Sequence, residues 1–346
     1  MTRLDNIHTD ADLVEFMAKQ MTIRIPQDTV QWGYFLIPDF KDGQGILLFK
    51  AHHSFSDGVG IGQFFMGIQD EYDPKSAPGL KTVPFWKTAM VYILAPFLFL
   101  KSAYVNFATP RRLNFLNNNK PFTGRKNGAA TQALNLPKIK TLAKQLGCTH
   151  NDFMTALLSQ ALHEYLKEKG DKSTSVDMAI PFSMKQPGAK AKDIRLDNDM
   201  VGLHTSIKLF DDFDEGLKHF KRQFKIMKSS LAPFGVMFLA LFAQCFIPLG
   251  LNKYAVDMAM EKYSLVFSNA FLSKKPMVYG GTKQHQDLGC YFFSSVPGKC
   301  YATFTLLTIG ETMGVGCYSD EKVIPDPQRL MDIFVKKYDD VIKRLK

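Results

Sequence analysis

Several common chemistries are missing from this chain. No Gly-x-Ser-x-Gly, Walker or His-Glu-x-x-His motif occurs, so neither a serine hydrolase nor a nucleotide hydrolase is supported. The five cysteines (Cys148, Cys245, Cys290, Cys300 and Cys317) are odd in number and lack Cys-x-x-Cys spacing. That argues against zinc and against a disulfide framework, and it fits a reducing compartment. The N-terminus has no apolar stretch like a signal peptide, and Asp5, Asp10, Asp12 and Glu15 are too acidic for an organelle presequence. There is no repeat or low-complexity tract. No interleaving of aromatic and basic residues suggests a base-reading platform, so no nucleic-acid partner is expected.

What remains is a globular composition of 346 residues, 46% hydrophobic and 22% charged, enough for two domains or one split core. Its 29 Phe and 16 Met can fill a core or line a channel for an acyl chain. The formal charge of +10 suits a phosphate-bearing partner, either a lipid surface or a cofactor such as coenzyme A.

Apolar spacing predicts an amphipathic helix over Asp10–Lys19. Strands follow at Trp32–Pro38 and Gly45–His53 around an Asp42-Gly43 turn, the second with an Ile46–Phe49 run expected to be buried on both faces. Residues Val59–Ile68 read as helix despite their glycines. Two apolar stretches come next: Phe85–Phe107, broken by Pro96, and the charge-free Ser229–Asn252. The latter is long enough to span a membrane, but prolines near its ends favour a buried or interfacial helix. A polar segment, 106–128, reads as a linker between an N-terminal part, 1–105, and a C-terminal part, 129–346. A helix is expected over Pro137–Leu146, and Thr149 with Asp152 marks the capped start of another that runs to Lys169. Strands at Ser175–Ile180, Leu203–Leu209, Tyr263–Ser268, Tyr301–Ile309 and Met313–Tyr318 precede a closing amphipathic helix through Leu330, Phe334 and Val341. Alternating strands and helices place the chain in an α/β or α+β class with a mixed sheet.

The chemistry centres on His52-His53-Ser54-Phe55-Ser56-Asp57-Gly58. If both histidines lie on a strand end, their side chains point to opposite faces and cannot easily share a metal ion. His53, in phase with Leu47, Phe49 and Ala51, is then the candidate general base, and His52 a supporting partner. Asp57 either holds the loop through a cationic or backbone partner or caps a helix start, and Gly58 reads as a tight-turn glycine. The run Gly58-Val59-Gly60-Ile61-Gly62 does not have the spacing of a dinucleotide fingerprint.

With these residues in hand, the chain resembles the HHxxxDG, chloramphenicol acetyltransferase-like superfamily. More narrowly, it resembles the wax ester synthase/diacylglycerol acyltransferase family. The resemblance rests further on Lys120–Arg125, Leu146–Phe153, Ala179–Lys185, Ser268-Asn269-Ala270-Phe271, Gly314–Asp320 and Pro325-Asp326-Pro327, and it covers roughly Gln31 to the end. It implies two α/β halves with mixed sheets flanked by helices, with a tunnel between them. It also implies transfer of a fatty acyl group from acyl-CoA to a long-chain alcohol or diacylglycerol, with His53 as base. Ser268 and Asn269 would be oxyanion donors or tunnel residues, and Asn151 and Asp152 structural residues of the site. No metal or bound cofactor is implied; acyl-CoA is a co-substrate. An intracellular membrane is the expected location: endoplasmic reticulum, lipid droplet or mitochondrial membrane. A protein complex is a further option.

The sequence departs from that pattern in three places. Only 51 residues precede His52, so the N-terminal half reads as incomplete. The Ser-Asn element lacks the following Pro-Gly-Pro, and Lys185 stands where the family has Arg. These departures keep open a second reading: a retired acyltransferase fold serving as a structural or lipid-binding subunit of a membrane assembly.

Overall fold

The computed structural model describes residues 1–41, 43–79, 84–118, 121–131, 134–283, 291–294, 300 and 302–345. In chain order the strands are β1 (Thr2–Arg3), β2 (Trp32–Lys41), β3 (Gln44–Ala51), β4 (Lys126–Ala130), β5 (Leu134–Asn135), β6 (Ser175–Ser183), β7 (Met200–Lys208), β8 (Leu265–Ser273), β9 (Val278–Tyr279), β10 (Thr282–Lys283), β11 (Ala302–Ile309) and β12 (Thr312–Asp320). The α-helices are α1 (Asp10–Thr22), α2 (Gly58–Gly67), α3 (Phe85–Ile93), α4 (Ala95–Ala103), α5 (Leu136–Gln145), α6 (His150–Glu168), α7 (Phe213–Ser229), α8 (Ala232–Phe246), α9 (Leu249–Met260) and α10 (Pro327–Arg344). A π turn, Tyr104–Ala108, follows α4, and a 3₁₀ turn, Ala191–Asp193, precedes β7.

Two sheets organise these elements. The small one has the order β1-β2-β3, with β2 and β3 forming the expected hairpin. Gly43 turns it at φ +74°, a conformation that favours glycine, while Asp42 of the expected turn lies outside the described residues. The large sheet has the order β4-β12-β11-β8-β6-β7, with β5 against β12. Within it β8 runs parallel to both β6 and β11 and the other pairs are antiparallel, so the sheet is mixed, as expected. The strand β4 begins inside the segment read as a linker.

The core lies against the large sheet. Thr149 and Asp152 close a capping box on α6, which then buries nearly every side chain from Asp152 to Leu166. Phe153, Leu157 and Leu162 pack there with Phe220, Phe304 and Phe334. Each such side chain contributes about 1.5–3 kcal/mol when fully buried, so this stack is the main source of stability in the C-terminal part. The N-terminal part is fastened to the same sheet: Leu13, Met17, Ile37 and Phe40 pack with Phe293 and Tyr318.

Two expectations are corrected. The strand β3 is not buried on both faces; it is the edge of a three-stranded sheet, and Leu47 is 55% exposed. The charge-free stretch Ser229–Asn252 is neither one helix nor a core helix. It divides at Ile247-Pro248 into α8, which buries only Pro233 and Gly235, and α9, which buries nothing. Among the described residues no single helix is long and apolar enough to cross a membrane. Two bent pairs pass by length and composition, Phe85–Ile93 with Ala95–Ala108 (64°) and Phe213–Ser229 with Ala232–Phe246 (54°). Proline causes the breaks by starting each new segment: Pro84 before α3, Pro96 in α4, Pro233 in α8 and Pro248 before α9.

Candidate active site

The strand β3 stops at Ala51, so His52 and His53 lie in the turn beyond it rather than on opposite faces of a strand. Strand alternation therefore does not extend to these two residues. His52 is exposed, and its Nδ1 lies 2.8 Å from Ser54 Oγ and accepts from the Ser54 amide at 3.2 Å. It supports the turn locally, and its own amide donates to the Gln31 carbonyl.

His53 is held by a residue that the sequence reading did not single out. The Asn198 Nδ2 donates to the His53 carbonyl at 2.8 Å, which turns Asn198 Oδ1 towards the ring, 3.0 Å from Nδ1. An amide oxygen can only accept, so Nδ1 is the donor of this pair, and in the neutral tautomer that follows Nε2 is the free acceptor. The ring is exposed, so Nε2 can be approached. An orienting partner on Nδ1 is what a general base requires. The only sequence cue for Asn198 was its place in the polar Asp197-Asn198-Asp199 run between two strands.

Asp57 performs both roles considered for it. As N-cap of α2 it accepts from the Gly60 amide at 2.8 Å, and it also accepts from the Asp199 amide at 2.8 Å. Its cationic partner is Lys185, with Nζ 3.5 Å from Asp57 Oδ2. Lys185 also donates to the carbonyls of Asp197 (2.6 Å) and Arg195 (3.2 Å) and lies 3.1 Å from Asp197 Oδ1. With Arg195, it holds the Asp197 carboxyl below the usual range. Lysine at the position expected for arginine therefore still reaches the loop aspartate, but as a point charge rather than a two-pronged fork. The net effect is a buried clasp that joins the His53 turn to the 195–199 segment.

The reading of Gly58 is corrected as well. A Cβ there would meet nothing within 4 Å, and its φ is not positive. The glycine that the site needs is Gly60, where a Cβ would come within 2.0 Å of Ser56 Oγ and 2.5 Å of Lys185 Nζ.

A second cluster sits on β8 and α6. Asn269 Nδ2 donates to Asn151 Oδ1 at 3.0 Å and lies 3.4 Å from His150 Nε2. Burial, with Lys140 and Lys228 nearby, pushes the His150 pKa down and so favours the neutral imidazole. Asp152 belongs to the capping box, and Ser268 sits beside Asn269, paired in register with Thr305 of β11. The helix α2 packs on β8 and so brings the histidine loop and this cluster onto one framework. Phe55, two residues past His53, joins Trp32, Tyr34, Phe49, Phe64 and Phe65 in a continuous aromatic cluster with centroids 5.0–6.3 Å apart.

Comparison with known proteins places this geometry. Residues 199–341 match the WS/DGAT C-terminal domain. A Mycobacterium tuberculosis protein named as a diacylglycerol O-acyltransferase is 26% identical over 325 residues, covering 86% of this chain and 71% of that one. A second from the same species, similarly named, is 23% identical over 348 residues, covering 92% and 75%. Among solved structures, the wax ester synthase/diacylglycerol acyltransferase of Marinobacter aquaeolei VT8 superposes with a TM-score of 0.64 at 20% identity, covering 99% of this chain and 78% of that one. The first condensation domain of the calcium-dependent antibiotic synthetase superposes at 0.56 and 14%, covering 99% and 74%. Mixed sheets flanked by helices, with the HHxxxDG segment at the end of a hairpin, give the chain the fold of these structures. The chain is similar to the wax ester synthase/diacylglycerol acyltransferase family, whose C-terminal domain its residues 199–341 match.

Proposed function

We propose that this protein moves a fatty acyl group from acyl-CoA to the hydroxyl of a lipid acceptor, a long-chain alcohol or a diacylglycerol, at an intracellular membrane. The carrying observation is the His53 ring, fixed through Nδ1 by Asn198 and open at Nε2. In this reading Nε2 takes the acceptor's hydroxyl proton as the oxygen bonds to the thioester carbonyl carbon. The tetrahedral oxyanion then collapses, the C–S bond breaks, and the imidazolium returns its proton to the departing thiolate. A fixed donor near the oxyanion lowers the barrier by stabilising charge as it forms. Asn269 and Ser268 are proposed for that role, with Asn151 holding the Asn269 amide. The aromatic cluster around Phe49 and Phe55 is proposed as the wall against which the apolar chains lie.

Relatives named as O-acyltransferases and an intact histidine loop favour this over a retired scaffold. The test is thiol release from long-chain acyl-CoA in the presence of alcohols, diacylglycerol or sterols. Wild type should release thiol with at least one acceptor and His53→Ala should fall by about 10²–10⁴-fold, the usual contribution of a general base. Equal rates in the two proteins would rule the proposal out.

A further inference from the structure

We infer that α3–α4 and α8–α9 form one surface that lies in the plane of an anionic lipid leaflet, partly inserted and not spanning it. The two segments are far apart in sequence but packed together. Phe99 meets Phe242 at 5.3 Å, and Gly235 lies so close to α4 that a Cβ would come within 2.6 Å of the Leu98 carbonyl. Their outward faces are apolar: Phe85 is 87% exposed, Ile93 75%, Phe246 74% and Leu249 85%. An exposed apolar area of this extent marks an interaction surface.

The charge pattern identifies the occupant. Residues 84–108 contain Lys87 and Lys101 and no Asp or Glu, and residues 216–256 contain 6 Lys or Arg and no Asp or Glu. Lys101 is exposed on α4, and Lys225 and Lys228 are exposed where α7 leads into α8. The only acid on these four helices is Asp257, which Lys253 neutralises at 2.9 Å, and apolar side chains with a cationic excess match acyl chains beneath anionic headgroups. A second copy docking through the same face would set cation against cation. Singly the helices are too short to cross, since the 15 residues of α8 extend roughly 22 Å against a hydrocarbon core of about 30 Å, and the two pairs long enough are bent by 64° and 54°. Because α8 packs on β7, which starts just after Asn198 and Asp199, the surface is coupled to the proposed site. The inference deepens the membrane location proposed above and rests on that reading, but it needs no turnover.

The test is co-sedimentation of the full chain with phosphatidylcholine vesicles, with and without phosphatidylserine. Wild type should pellet with the anionic vesicles, and Phe246→Glu/Leu249→Glu should weaken this by about tenfold or more. In a Trp32→Phe background, Trp86 on α3 should be quenched by brominated lipid. Binding should be reversed by alkaline carbonate. His53→Ala should pellet like wild type; its loss of thiol release with binding intact would count only towards the catalytic reading. The inference is overturned if wild type stays in solution, if the glutamate variant binds equally, or if carbonate fails to release the protein, which would indicate a span. A dimer abolished by the glutamate pair, with no vesicle binding, would overturn it in favour of a copy-to-copy interface.

Discussion

Lys185 gives the sharpest test of how the site is held. Its side chain is 4% exposed and that of Asp57 1%, with 3.5 Å between Nζ and Oδ2. Unit charges at that separation attract by roughly 5 kcal/mol at an effective dielectric of about 20, before desolvation is subtracted. Replacing Lys185 by Met removes this attraction and the two carbonyl bonds, and strands a buried carboxylate. The expected loss of stability is therefore about 3–5 kcal/mol, as for other broken buried pairs. Urea unfolding of Lys185→Met, Asp57→Asn and the double variant forms the cycle. The double variant should recover part of the loss, because no charge is then left unpaired. Hydrogen exchange adds a local readout, since the Gly60 and Asp199 amides both donate to Asp57 and should lose protection in Lys185→Met. A Lys185→Met protein within about 1 kcal/mol of wild type, with those amides still protected, would refute the clasp.

Asn198→Ala should fold almost normally, because exposed hydrogen bonds contribute only about 0.5–1.5 kcal/mol each. It should nevertheless lower the rate of thiol release by about 10–100-fold, with partial return in Asn198→Asp, which keeps an acceptor for Nδ1–H. Gly60→Ala should displace Lys185 and lower both melting temperature and activity, whereas Gly58→Ala should change stability by less than about 1 kcal/mol. Gly235→Val should separate α4 from α8, seen as faster limited proteolysis of 84–108 with the large sheet intact. Acidification should destabilise the fold through Asp320 and Asp326. Burial pushes the Asp320 pKa up, but the Lys322 and Thr123 amides and Lys126 outweigh it. For Asp326, bonds from Lys169 and Tyr165 likewise outweigh burial. Folded values below unfolded ones give stability that is complete above the ordinary carboxylate range and is lost as pH falls through the folded values, below about pH 4. Urea midpoints against pH should show this slope, and Asp320→Asn should flatten it.

The sequence alone determined the elements whose signals are local. Periodicity and the Thr149–Asp152 box located α6, strand signals located β2 and β6, β7, β8, β11 and β12 of the large sheet but neither β4 nor β5, and apolar spacing located α10. The loop residues His53 and Asp57 were legible because their motif is contiguous. What the sequence could not supply was pairing across distance. Asn198 reaches His53 over 145 positions and Lys185 reaches Ser56 over 129, and no local pattern records either contact. The strand end at the histidines and the turn role of Gly58 were misread for the converse reason: local signals were extended past Ala51, where the chain had already left the sheet. The apolar stretches show the same division. Their composition is evident in the sequence, but only packing decided that α4 meets α8 and that their remaining faces stay outside the core.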